Sequence, residues 1–132
     1  MSLTHVPTEL RRLVRERANG CCEYCGVPES VTFAVHEVDH IVAEKHGGET
    51  TAENLAFCCI LCNRRKGSDL SSVDPQTGKV VVLYHPREQH WTDHFRFVGT
   101  RIEPLTSIGR ATVRLLALNS EARLTERRAV AP

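Results

Sequence analysis

Apolar positions near the start of the chain recur at helical spacing. Leu10, Leu13, Val14 and Arg17 fall on one side, with Ala18 nearby. The pattern predicts an amphipathic helix over residues 7–19, with Pro7 suited to its first position and Gly20 to its stop. Residues 31–42 are rich in β-branched side chains and predict a strand, with a break near Asp39. A second short strand is predicted over 55–59, and a helix from Ile60 to about Leu70. His46-Gly47-Gly48 marks a loop, and Asp74-Pro75-Gln76-Thr77-Gly78 a turn. Beyond it the pattern predicts a strand over 79–84, a short helix over 86–95 and an extended stretch over 97–102. A helix follows over 107–118, with Val113, Leu116 and Ala117 as core contacts, and then a polar terminal helix over 121–128, prone to fray. Mixed elements without repeats imply an α+β chain, and 132 residues imply one domain over 1–132.

Composition changes this picture in one respect. Only 5% of residues are aromatic, and small domains poor in large apolar groups often add a structural metal or disulfides. No apolar run reaches the roughly 18–20 residues that span a bilayer, which implies no membrane partner. The opening Met-Ser-Leu-Thr-His-Val-Pro has no basic segment followed by an apolar one, so a cytoplasmic location is expected. The formal net charge of +1 does not announce a nucleic-acid binder, because positive charge is local. Arg11, Arg12, Arg15 and Arg17 form one cluster, and Arg123, Arg127 and Arg128 another; both read as solvated helix faces. Arg64, Arg65 and Lys66 form a third, beside the chemistry described next.

Six cysteines stand at 21, 22, 25, 58, 59 and 62. Cys22/Cys25 and Cys59/Cys62 are two C-x2-C turns, which together can deliver four thiolates to a tetrahedral zinc. Such a closed site stabilises the fold and leaves no position for catalysis. Cys21 and Cys58 allow an alternative x3 ligand set, although the x2 set is preferred and both read as ordinary small core residues. A redox role for Cys22-Glu-Tyr-Cys25 would need a thioredoxin-like βαβ context, which the pattern does not offer.

Between the cysteine pairs lies a second set of groups. Asp39 supplies a hard carboxylate oxygen for Mg²⁺ or Mn²⁺, and Asn63 an amide oxygen as a second protein ligand, leaving room for water and phosphate. His40 can accept a proton from water near neutral pH. Asn54 can fix the loop or the imidazole orientation without titrating. Arg64, Arg65 and Lys66 can contact a phosphodiester backbone. Successive residues of a regular strand point to opposite faces, so Asp39 and His40 serve one site only if the strand bends, bulges or ends there.

Cys-x-Tyr-Cys-Gly, Val-Asp-His-Ile, His-Gly-Gly, Glu-Asn-Leu and Cys-x-x-Cys-Asn-Arg-Arg-Lys-Gly, in this order, resemble the HNH endonucleases, and more narrowly the small stand-alone bacterial ones with a four-cysteine zinc site. The resemblance covers about residues 17–67. It implies a ββα-metal (His-Me finger) core within about 20–70, additional N- and C-terminal helices, and a C-terminal extension over 71–132. It puts Asp39 at the first metal-ligand position, His40 at the general base, Asn54 at the middle asparagine and Asn63 at the last position, which is histidine in many members. It further implies hydrolysis of DNA, double-stranded by expectation, to 5′-phosphate and 3′-hydroxyl ends.

The remaining histidines read as less specific. His36 is expected in the core, and His46, in the Gly-Gly loop, either touches substrate or is solvated; His85, His90 and His94 around Trp91 read as packing and surface groups. Glu37 and Glu53 stand close to motif residues, either holding them in place or merely exposed. The competing function is a non-catalytic zinc module that binds nucleic acid or protein. RNA cleavage is chemically allowed but has no aromatic stacking platform to favour it. Nothing in the sequence fixes the oligomeric state.

Overall fold

The computed structural model describes residues 5–130. Helix α1 spans Thr8–Arg17, with Pro7 standing just before its first turn and Ala18 closing it. Val14 is fully buried and clusters with Val6, Leu55 and Phe57, against which Leu10, Ala18 and Val38 pack. Leu13, expected on the same side, is 45% exposed, so the buried stripe is narrower than the pattern suggested.

The first predicted strand is much shorter than its β-branched run. Strand β1 is Glu37–His40 alone. Upstream, Glu29–Val31 form a 3-10 turn, and Thr32 Oγ1 donates to the carbonyls of Glu29 (3.0 Å) and Ala34 (2.7 Å). The His36 amide donates to the Glu29 carboxylate at 2.8 Å. These local side-chain bonds replace a ladder. Strand β2, Leu55–Cys58, pairs with β1 antiparallel, in a register running from Glu37↔Cys58 to His40↔Leu55. Helix α2 follows at once, Ile60–Lys66, and stops three to four residues earlier than predicted because Gly67 adopts φ +53°.

Beyond α2 the chain forms two ribbons and two helices. Strands β3 (Ser71–Val73) and β4 (Val80–Val82) pair antiparallel around the predicted Asp74 turn. Asp74 accepts from the Gln76 amide at 2.9 Å and the Thr77 hydroxyl at 3.1 Å, and Arg110 grips both its oxygens at 2.9 and 2.8 Å. The helix predicted over 86–95 contracts to α3, Trp91–His94; before it, His85 Nδ1 accepts from the amides of Arg87 and Glu88 at 3.2 Å each, which makes a turn instead. The stretch read as one extended segment reverses at Gly99, φ +61°, giving the hairpin β5 (Phe95–Val98) and β6 (Arg101–Pro104). Thr106 caps α4, Ser107–Leu115, by accepting from the Gly109 amide at 3.0 Å; Ala117 at φ +49° ends it short of the predicted 118.

The last helix, α5 (Glu121–Arg128), departs furthest from expectation: Arg123, Leu124 and Arg127 are buried, so this is not a frayed polar face. One core cluster joins the motif-bearing part (Tyr24, Val27, Ile41, Ala56) to the later part (Tyr84, Phe95, Ile102, Leu116, Leu118). Among the described residues no helix is long and apolar enough to cross a membrane.

Candidate functional site

The four sulfurs of Cys22, Cys25, Cys59 and Cys62 lie within 4.8 Å of one another, all buried. Cys25 and Cys59 are 3.7 Å apart at sulfur. A tetrahedral zinc with bonds of about 2.3 Å requires sulfurs roughly 3.8 Å apart, so the set fits zinc in chemistry and dimension. The turns are built for this. Gly26 at φ +81° lets its amide return to the Cys22 carbonyl at 2.8 Å. The Tyr24 amide donates to Cys22 Sγ and the Cys62 amide to Cys59 Sγ, both at 3.4 Å. Burial opposes ionisation of Cys22, yet hydrogen bonds from the neighbouring thiols hold it well below the ordinary thiol value; burial and Cys22 push Cys62 well above it. Crowded thiols of this kind ionise together only with a cation among them.

Sequence reasoning missed a fifth member. Arg123, 2% exposed, donates from Nη1 to Cys25 Sγ (3.4 Å) and Cys59 Sγ (3.3 Å), and from Nη2 to Cys62 Sγ (2.8 Å) and the Leu116 carbonyl (3.1 Å). Arg127, one turn on, donates to the carbonyls of Thr100 at 2.8 Å and Leu118. The cluster read as a solvated face is therefore two-thirds interior, and nothing in the terminal segment's polar pattern marks an arginine that a thiolate cluster draws inside. Cys58 is buried beside the set with its thiol pushed well up by burial, whereas Cys21 is only half-buried.

The second site lies between β1 and α2. Along β1 Glu37 and Asp39 point to one face and Val38 to the other; the β1–β2 register is regular without a bulge, and the strand ends at His40, the condition under which Asp39 and His40 can serve one site. Asn63 and Lys66, three residues apart, share a face of α2. Asn63 Nδ2 donates to the Glu37 carboxylate. Lys66 is 3% exposed; its ammonium pairs with Asp39 at 3.2 Å and donates to the His40 carbonyl at 3.3 Å. Tyr24 Oη donates to the same Asp39 oxygen, Oδ2, at 3.1 Å. Burial pushes the Asp39 carboxyl above its ordinary value, against the opposing pull of Lys66 and Tyr24. Asp39 and Asn63 thus line one interface, and of the two roles expected for Glu37 the contact with a motif residue is the one found, not exposure. Two carboxylates against one ammonium leave a formal −1 among hard oxygens, a donor set suited to Mg²⁺ or Mn²⁺.

The other motif residues occupy the adjoining loop. His40, 7% exposed, bonds through Nε2 to Thr50 Oγ1 at 2.9 Å, so its ring has a partner of its own rather than sharing one with Asp39. Asn54 staples the loop: its Oδ1 accepts from the Val42 amide at 2.9 Å, and its Nδ2 donates to the carbonyls of Val42 at 2.9 Å and Glu49 at 2.8 Å. A Cβ at Gly48 would stand 1.7 Å from the Val42 carbonyl oxygen, so only glycine fits there. Of the three basic residues expected to meet substrate, Arg64 and Arg65 are exposed, and Arg65 Nε reaches the Leu115 carbonyl at 3.1 Å. Lys66 is turned inward, which corrects its reading as a contact to the substrate backbone: its charge is taken up by Asp39. His36 is buried, with Nε2 bonded to the Val27 carbonyl at 2.9 Å, and His85, His90 and His94 gather no metal-ligand set among the described residues.

Residues 22–69 match the family model described as HNH endonuclease. The match begins at the first zinc-type cysteine and includes β1, β2 and α2, so the similarity covers this segment of the chain. The four-thiolate cluster fits the small zinc-bearing type of that family. Among curated proteins, none matches the chain.

Proposed function

We propose that this chain is a metal-dependent endonuclease that hydrolyses phosphodiester bonds of double-stranded DNA, leaving 5′-phosphate and 3′-hydroxyl ends, and that residues 1–132 act as one unit around a ββα-metal core. The observation that carries the reading is a coincidence within the HNH-matched segment. Asp39 and His40 are buried at the end of β1, and Asn63 faces that strand from α2. Mg²⁺ or Mn²⁺ held by Asp39 and Asn63 would supply charge stabilisation at a phosphate oxygen and at the departing 3′ oxygen.

The chain's own groups divide the remaining work. The Glu37 carboxylate can only accept, so it holds the amide nitrogen of Asn63 and leaves Oδ1 as the donor atom toward the ion. Lys66 holds the Asp39 charge in the fold. In the tautomer whose Nε2–H donates to Thr50 Oγ1, His40 presents Nδ1 as the basic nitrogen that takes a proton from water. Thr50 is thereby a positioning residue for the general base. Asn54 and Gly48 set the loop that carries Thr50. Arg64 and Arg65, the two exposed members of the basic run, meet the phosphate backbone.

The test is relaxation of supercoiled plasmid by the zinc-loaded chain, with Mg²⁺ or Mn²⁺ added or withheld, for wild type and His40→Ala. Cleavage that needs the added ion and falls about 10²–10⁴-fold in the variant, with zinc content and fold unchanged, is expected. Zinc-loaded, folded protein that binds DNA without cutting it would instead mark a non-catalytic zinc module.

A further inference from the structure

We propose that Arg123 is the outer-sphere charge partner of the zinc–thiolate cluster, protecting three of its sulfurs from electrophiles and fastening the last helix to the metal. Four thiolates around a divalent zinc carry a formal charge of −2, here in a site whose cysteines are all buried. A buried charge of that size needs compensation, and the guanidinium of Arg123 reduces it to −1. Its planar fork suits the task, since two nitrogens bond three sulfurs contributed by both C-x2-C turns. Each N–H···S bond draws electron density from a sulfur that would otherwise attack an electrophile or accept a proton.

The arrangement also sets a dependence between distant parts of the chain. Arg123 is 98 residues from Cys25 and 61 from Cys62. Helix α5 lies outside the segment that matches the HNH family model, yet it completes the metal's surroundings. The terminal helix is therefore part of the zinc site, not an appendage to it. This inference does not depend on the nuclease reading.

The experiment follows zinc transfer from the loaded full-length chain to a chromogenic chelator, with iodoacetamide present. In each modification a sulfur forms an S–C bond, the C–I bond breaks, iodide leaves, and that sulfur is lost to zinc. Arg123→Met keeps the length of the stem and removes the charge. It removes three N–H···S bonds and is expected to release zinc faster by about tenfold or more, tenfold being the scale of a single lost charge-assisted hydrogen bond. Arg123→Lys, with charge but no fork, is expected between the two. Arg127→Met is the control: Arg127 is buried on the same helix and bonds two backbone carbonyls and the Asn119 amide oxygen but no sulfur. Equal release rates for wild type and Arg123→Met, or for Arg123→Met and Arg127→Met, overturn the proposal. If Arg123→Met does not fold, Arg123→Lys decides the matter: a severalfold increase over wild type and over Arg127→Met supports the assignment, and no increase refutes it.

Discussion

Replacing Lys66 by methionine tests the least expected contact at the candidate site. Methionine fills the volume of the lysine stem, so packing is largely kept while the ammonium is lost. The Asp39 carboxylate, 6% exposed, then keeps only the Tyr24 hydroxyl at 3.1 Å, and the His40 carbonyl loses its donor. Removing one partner of a buried ion pair costs about 3–5 kcal/mol, because the survivor is left charged and desolvated. That is a large share of the roughly 5–15 kcal/mol of a typical domain. With a urea slope of about 2 kcal/mol per molar, the unfolding midpoint should fall by roughly 2 M at saturating zinc. The second variant carries the discrimination. Asp39→Asn removes the stranded charge, so the pair of substitutions together should cost less than Lys66→Met alone, a coupling of at least about 1 kcal/mol in a double-mutant cycle. Additive costs, or a loss under about 1 kcal/mol for Lys66→Met, would refute the buried-pair account and return Lys66 to the exposed basic run.

Three further expectations follow from other contacts. Asn54→Ala deletes three hydrogen bonds from the loop, at about 1 kcal/mol each, so a loss of roughly 2–4 kcal/mol with zinc content unchanged is expected in urea unfolding; a change under about 0.5 kcal/mol denies it the stapling role. Arg110 holds the Asp74 carboxyl below its ordinary value of 3.8, helped by the Gln76 amide and Thr77 hydroxyl. A depressed folded-state pKa gives stability that is complete above the unfolded value and is lost as pH falls through the folded one. The midpoint advantage of wild type over Asp74→Asn should therefore shrink below about pH 4, whereas an advantage constant from pH 7 to 3 contradicts the pairing. Finally, structural zinc binds with about 10–16 kcal/mol, comparable to or above a domain's whole stability, so chelation at neutral pH should abolish the folded circular-dichroism signal; a chain that stays folded without zinc breaks the case for a structural metal.

The sequence was most legible where geometry is local. Two C-x2-C turns specify their own backbone, and the four sulfurs converge as their spacing demands. The Asp74 turn was equally readable, because an aspartate bonding its own following amides needs nothing distant. The illegible parts were decided by partners far along the chain. The β-branched run before β1 is broken by Thr32 and Glu29, whose side chains capture the backbone. Helix α5 reads as polar because its periodicity contains two arginines on the inner stripe. The thiolates of Cys25, Cys59 and Cys62, the carbonyls of Thr100, Leu116 and Leu118, and the Asn119 amide oxygen make that stripe an interior. Lys66 was misread for the same reason: a basic run gives no sign of which member meets a buried carboxylate.

The two sites are mechanically one through α2. Cys59 stands at the helix's N-cap and Cys62 in its first turn, so the thiolate knot fixes where the helix begins and how it is rotated. Asn63 is the next residue, and Lys66 follows Cys62 by four, one turn further on nearly the same face. With seven residues, α2 is too short to hold its own shape in water, so its orientation comes from what it is tied to. At the cysteine end the tie is the metal and Arg123; along the strand it is Glu37 to Asn63 and Asp39 to Lys66. Loosening the knot would therefore rotate Asn63 and Lys66 away from β1 before any group at that interface was altered. The thiolate cluster thus acts on the candidate catalytic site without touching its substrate, by setting the helix register on which the alignment of Asn63 with Asp39 depends.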